Sequence, residues 1–301
     1  MKKIINKSNL LFLFILILGV LTSRKKDEYF FYYLSLIVLI ELITIVYRLI
    51  KNKDKTNKTV DDLSFIIYIL LFLWEITTVN FELFDKLLFP YPGQVISLFI
   101  KELPVLFKGL ISSLELLLKG YLLALVLGIL VALLLGINER MYRTISPITK
   151  ILSPIPPIVY IPYAITILPT FKSASVFIIF IGAFWPIFVN TLNGIHNGEK
   201  KLYDTAKALN VSKFTMLFQV ILPSSLPSII TGANVGMILS FILLTSAEMI
   251  GATSGLGWYV KYFSDYADYP RVIVGIIFIG IVVSIISVII DKVSSYLLRW
   301  K

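Results

Sequence analysis

The sequence predicts an all-α polytopic membrane protein, and three observations carry the prediction. The 301 residues are 57% hydrophobic and only 15% charged, with a mean hydropathy of +0.88, far more apolar than a soluble core of this size requires. The apolar residues fall into runs of about the 20 residues that cross a hydrocarbon layer of roughly 30 Å. The Lys and Arg residues behind the net charge of +10 gather in alternate loops between those runs, as the positive-inside rule requires. That placement makes lipid, and not nucleic acid, the expected surface partner.

Eight spans are expected, at residues 4–22, 29–50, 63–79, 109–136, 148–168, 176–192, 226–250 and 272–298. The first follows Lys2, Lys3 and Lys7 in the manner of a signal peptide, but Arg24, Lys25 and Lys26 stand where a small-residue cleavage site would be. It is read as a retained anchor. With the amino terminus inside, the basic residues within 48–58, 140–150, 200–213 and 292–301 become cytoplasmic, and so does the carboxyl terminus. Arg24, Lys25 and Lys26 run against the bias. The absence of cysteine excludes disulfides, thiolate metal sites and thiol nucleophiles.

Residues 1–60 form an added two-helix hairpin closed by the polar run 51–58, a solvated linker with a possible attraction to lipid headgroups. Residues 61–301 form the main domain. After the third span, Phe89, Pro90, Pro92 and Gly93 make a turn cluster. The amphipathic stretch through Val95, Leu98 and Phe99 is expected to lie along the outer interface. In the fourth span Gly120, Ala124, Gly128, Ala132 and Gly136 recur every four residues, a stripe along which another backbone can approach closely. Gly232, Gly236 and Ser240 repeat the theme in the seventh. Glu115 and Lys119 are spaced to neutralise each other, whereas Glu41 and Glu75 have no partner evident from spacing.

The fifth span carries Pro147, Pro154, Pro156, Pro157, Pro162 and Pro169, which remove donors and crowd carbonyls, so a straight helix is not expected. Broken backbone at membrane depth survives only beside protein or a watery cavity. Pro154, Pro156, Pro157 and Pro162 are therefore placed on a translocation path.

Between two long apolar segments lies 199–223. Leu202, Ala206 and Leu209 share one face of a short amphipathic helix on which Asp204 and Thr205 lie elsewhere. Asn210, tolerant of left-handed backbone, ends that helix. Ser212 caps a second helix that stops at Leu222 and Pro223. Asp204-Thr205-Ala206, three residues, Asn210, nine residues, Val220-Ile221-Leu222-Pro223 resembles the coupling loop of ABC importer permeases. That family's pattern reads Glu-Ala-Ala, three residues, Gly, nine residues, Ile-any-Leu-Pro. Asp204, Thr205 and Asn210 depart from it while keeping charge, size or turn capacity. A second motif, Ala247-Glu248-Met249 followed by Gly251 and then Ser254-Gly255-Leu256-Gly257, is similar to a signature of the nitrate, sulfonate and taurine type of permease, as is the proline-rich segment at 153–162. Leu116 stands near a position where that family often has Arg.

The resemblance covers residues 63–301 and implies a six-helix type I ABC importer core preceded by the extra hairpin. It implies a homodimer, an ATP-binding subunit docked at the coupling loop and an extracellular solute-binding protein. No cofactor is expected on this chain, with ATP and Mg held by the partner, and import of nitrate, sulfonate, taurine, bicarbonate or a thiamine-precursor pyrimidine follows. Glu248, Gly251 and Gly255 are assigned to the gate. Other functions fit less well. His196 is the one histidine, so neither paired metal ligands nor a Ser-His arrangement can be built. No P-loop is present, so this chain is expected to be non-catalytic. An ion-coupled carrier would show inverted repeats, and a structural membrane subunit would have no use for a broken span.

Overall fold

A computed structural model describes residues 7–22, 29–50, 54–198 and 200–299, and every regular element among them is helical. Six of these helices are long and apolar enough to cross a bilayer, and a pair bent by 77° makes a seventh crossing if taken as one span. Of the first expected span, residues 7–22 are described, as helix α1 (Lys7–Thr22) of 16 residues. The start of that expected anchor, with Lys2 and Lys3, and the basic residues 24–26 lie outside the described residues, as do Lys51, Asn52, Lys53, Glu199 and Lys301. The chain divides into two compact units, Met1–Val105 with Tyr262–Ile277, and Leu106–Lys261 with Phe278–Lys301.

In the first unit α1 packs with α2 (Phe30–Ile50) and α3 (Asp54–Glu75). The second half of the polar run is thus helical, not linker, because α3 begins at Asp54. Tyr33, Ile37, Glu41 and Thr44 are the buried residues of α2, spaced as one helical face, and Tyr33 and Ile37 meet Ile15 and Tyr68. The partner that spacing could not supply for Glu41 is the Tyr68 hydroxyl, which donates to its carboxylate at 2.7 Å. Arg48 pairs with Asp61 at 2.5 Å and also donates to Asn9 and Ser8. Polar side chains among apolar helices are costly unless they find one another, so these pairs select one alignment of α1, α2 and α3. Just before a π-helical turn, Ile76–Asn80, the Trp74 indole donates to the Pro90 carbonyl at 3.0 Å.

Helix α4 (Pro92–Gly136) runs for 45 residues, so the expected interfacial stretch and the fourth span are one element. Pro92 stands in its first turn, where a missing N–H leaves no hydrogen bond unmade, and Pro104 interrupts the ladder without ending the helix.

The second unit continues through α5 (Glu139–Leu152), α6 (Ile161–Ile167), α7 (Phe171–His196), α8 (Lys200–Ala208), the single turn α9 (Lys213–Thr215), α10 (Leu222–Gly251), α11 (Leu256–Asp265) and α12 (Tyr269–Leu297), the last two crossing between the units. The small stripe of α4 receives α7. A Cβ on Gly120 would stand 2.7 Å from Ile179, one on Gly128 would stand 3.0 Å from Ile187, and one on Gly136 would stand 3.0 Å from Ile195. Ala124 and Ala132 are fully buried in the same contact. Helix α10 meets α7 in the same manner, Gly232 against the Pro186 carbonyl and Gly236 against that of Ala183. Three helices thus touch nearly backbone to backbone, where dispersion supplies the attraction that lipid cannot.

Candidate functional site

The two motif-bearing segments sit at the two ends of α10. At its beginning, α8 closes through a Schellman motif. The Val211 N–H reaches the Ala206 carbonyl and the Asn210 N–H that of Lys207, with Asn210 at φ 51°, the left-handed geometry that Asn tolerates. Ser212 then accepts the Thr215 N–H at 3.1 Å and starts α9. The second helix does not stop at Leu222-Pro223 as expected. It widens into a π-helical turn, Met216–Ile221, where the Leu222 N–H bonds to the Leu217 carbonyl five residues back. The chain then runs on into α10. Pro223 removes one donor from this continuous helix, and the wider turn ahead of it relieves the crowding its ring would cause.

The apolar face also departs from expectation. Ala206 is buried, but Leu202 and Leu209 are exposed, Leu209 at 72%. The side facing this chain is marked instead by Tyr203, three residues before Ala206, whose hydroxyl donates to the Ile195 carbonyl at 3.1 Å and lies 3.2 Å from Ser224. An aromatic one turn from a buried alanine was the available signal for it. Tyr203 joins Leu133, Ile195, Ile221 and Leu222 in one cluster, while Asp204, Thr205 and Pro223 stay exposed. Phe214 is 72% exposed and its ring lies 4.5 Å from that of Phe218. The segment is held firmly from beneath and presents Leu202, Leu209, Phe214 and Phe218 outward.

The proline-rich span is broken as its composition requires. α5 is followed by an extended Pro156, a 3-10 turn at Pro157–Tyr160 and then α6, giving the 77° bend. Pro154, Pro156 and Pro162 are exposed. Pro157 and Leu243 both approach Gly182, and Ile161 and Ala164 of α6 are buried in one cluster with Ile178 and Leu243.

At the far end of α10, Glu248 is 1% exposed. Ser113 of α4 donates to its Oε1 at 2.6 Å and the Gly257 N–H to its Oε2 at 2.8 Å, while the Leu256 N–H donates to Ser113 Oγ at 2.9 Å. Leu256 and Gly257 open α11, a helix that sequence reading missed because it is short. Its first amide groups have no partner within the helix, so a carboxylate at that end satisfies them and meets the positive pole of the helix dipole. Gly255, at φ +125°, lies so close to the Glu248 carboxylate that a Cβ would overlap it, and Gly257 packs on the Thr245 carbonyl. Gly251 lies against Phe171. The structure thus brings Glu248, Gly255 and Gly257 into one closed turn and adds Ser113, whose distance in sequence hid it. Pro154, Pro156 and Pro162 make no part of that turn.

A bundle of close-packed apolar helices with a broken span, and a helical hairpin entering α10, is the fold of a type I ABC importer permease. The chain belongs to the family of binding-protein-dependent transport system inner membrane components, which it matches over residues 124–300. It is similar to the nitrate import permease protein NrtB of Leptolyngbya laminosa, 30% identical over 190 residues covering 63% of this chain and 68% of that protein. It is likewise similar to the taurine transport system permease protein TauC of Escherichia coli, 26% identical over 239 residues and covering 77% and 86%. The bicarbonate transport permease CmpB of Synechococcus elongatus is 31% identical over 65% of this chain and 69% of its own length. Its fold is shared with a chain of the inward-facing MetNI methionine ABC transporter at a TM-score of 0.56 and 22% identity, covering 66% of this chain and 99% of that one. It is therefore a multi-pass membrane permease.

Proposed function

We propose that this chain forms the pore-bearing half of an ATP-driven importer for a small solute carrying an oxyanion or sulfonate group, such as nitrate, bicarbonate, taurine or another sulfonate, with a thiamine-precursor pyrimidine as a further member of the set. One observation carries the reading: the Asn210 hairpin is fastened to α7 and α10 yet leaves Leu202, Leu209, Phe214 and Phe218 uncovered. That is what a docking element for a separate ATP-binding subunit needs, with Asp204, Thr205, Ala206, Leu222 and Pro223 as its frame. ATP and Mg belong to that partner, and this chain takes no catalytic part. The bias of the basic loops supports a cytoplasmic hairpin and cytoplasmic termini in a cell-membrane protein, with α1 part of an eighth crossing.

Two copies of the chain would enclose a path lined by the broken backbone at Pro154, Pro156, Pro157 and Pro162. A solute-binding protein would deliver substrate from outside, where Glu248, Gly251 and Gly255 hold the mouth. Helices α1 and α2, packed with α3, would contact lipid. Purification with an ATP-binding subunit, and uptake into vesicles that needs internal ATP, test the reading. Uptake that survives removal of ATP but stops when the proton gradient collapses would establish an ion-coupled carrier instead. Replacing the exposed Asp204 with Lys is expected to weaken recovery of the ATP-binding subunit in a pull-down.

A further inference from the structure

The ring of His196 lies flat on that of Tyr142, with centroids 3.7 Å apart and planes within 9°. His196 is the last residue of α7, and Tyr142 stands in the first turn of α5. In that same turn Glu139 accepts from Arg143 at 2.8 Å and lies 3.7 Å from His196 Nδ1. One residue before His196, the Ile195 carbonyl accepts the Tyr203 hydroxyl of α8. The entrance to the broken span, the end of α7 and the hairpin are therefore fastened within a few ångströms of one another. Beyond this stack, α5 leans on α7 through Tyr142 and Ile145 against Phe188 and Leu192.

We propose that the Tyr142–His196 stack is a strut by which displacement of the hairpin is passed to α5, so that the 77° break turns as the hairpin moves. His196 and Tyr142 are positioning residues, and neither touches solute. The inference rests on the importer reading. Two stacked rings resist tilting and separation because both would uncover apolar faces.

The test uses the assembled transporter in vesicles, reading ATP hydrolysis, solute uptake and subunit recovery together. His196→Ala and Tyr142→Ala are expected to assemble and hydrolyse ATP while uptake per ATP falls roughly two- to thirtyfold. The double variant should fall no further than either single one, since both remove one contact. His196→Phe, which keeps the stack without the ring nitrogens, should restore uptake. Unchanged uptake per ATP in His196→Ala, additive losses in the double variant, or failure of His196→Phe to rescue would each overturn the strut. Loss of subunit recovery in the alanine variants would also overturn it, by making the stack a requirement of assembly. Absence of an ATP-binding subunit from the parent preparation would remove the importer reading itself.

Discussion

The two ends of α10 solve opposite problems. At the Glu248 end the carboxylate, the Ser113 hydroxyl and the first amide groups of α11 satisfy one another in a buried turn. At the Asn210 end the backbone is equally well closed, by a Schellman motif and the Ser212 cap, but Leu209 and Phe214 are left 72% exposed. One end is complete within this chain. The other has its skeleton set and its apolar surface open, which the proposed docking of an ATP-binding subunit would cover. Substitutions at the first end should therefore damage the fold, and those at the second should damage association.

The largest loss is expected for Glu248→Ala, which strands the Gly257 N–H and the Ser113 hydroxyl without a partner. About 2–6 kcal/mol follows from two buried donors, to be read as a lower unfolding temperature in detergent. Gly255→Val comes next. It places a β-branched side chain at φ +125° and onto the Glu248 carboxylate, for about 2–5 kcal/mol from backbone strain and overpacking together. Asn210→Val should cost about 1–2 kcal/mol, because a β-branched residue resists left-handed backbone, while Asn210→Gly stays near the parent. In the importer reading the Val variant also lowers uptake. Leu209→Asp should change stability by less than about 0.5 kcal/mol, as for most exposed sites, yet reduce recovery of the ATP-binding subunit. A destabilised Leu209→Asp, or an unaffected Glu248→Ala, would erase the contrast between the two ends.

Much of this was legible in the sequence where the physics is local. The four-residue recurrence of Gly120, Ala124, Gly128, Ala132 and Gly136 declares a close helix contact, and α7 fills it with Ile179, Ile187 and Ile195. The crowded prolines declare a break, and Asn210 a left-handed turn. What stayed hidden depends on distant residues or on the tolerance of helices for proline. Ser113 meets Glu248 across 135 positions, and Tyr68 meets Glu41 across 27, so neither pair leaves a trace in spacing. Pro92 looks like a boundary yet stands in a first turn that needs no donor from it, and Pro223 looks like one yet follows a π-helical turn that carries the helix past it. The π-helical turn at Met216–Ile221 has no side-chain signature at all.

That turn has a mechanical corollary. Because the backbone is helical from Lys213 to Gly251 without a hinge loop, its 39 residues make a single shaft on the order of 55 Å long. In the importer reading, a twist of the hairpin at one tip would be carried along this shaft to the Glu248 turn at the other.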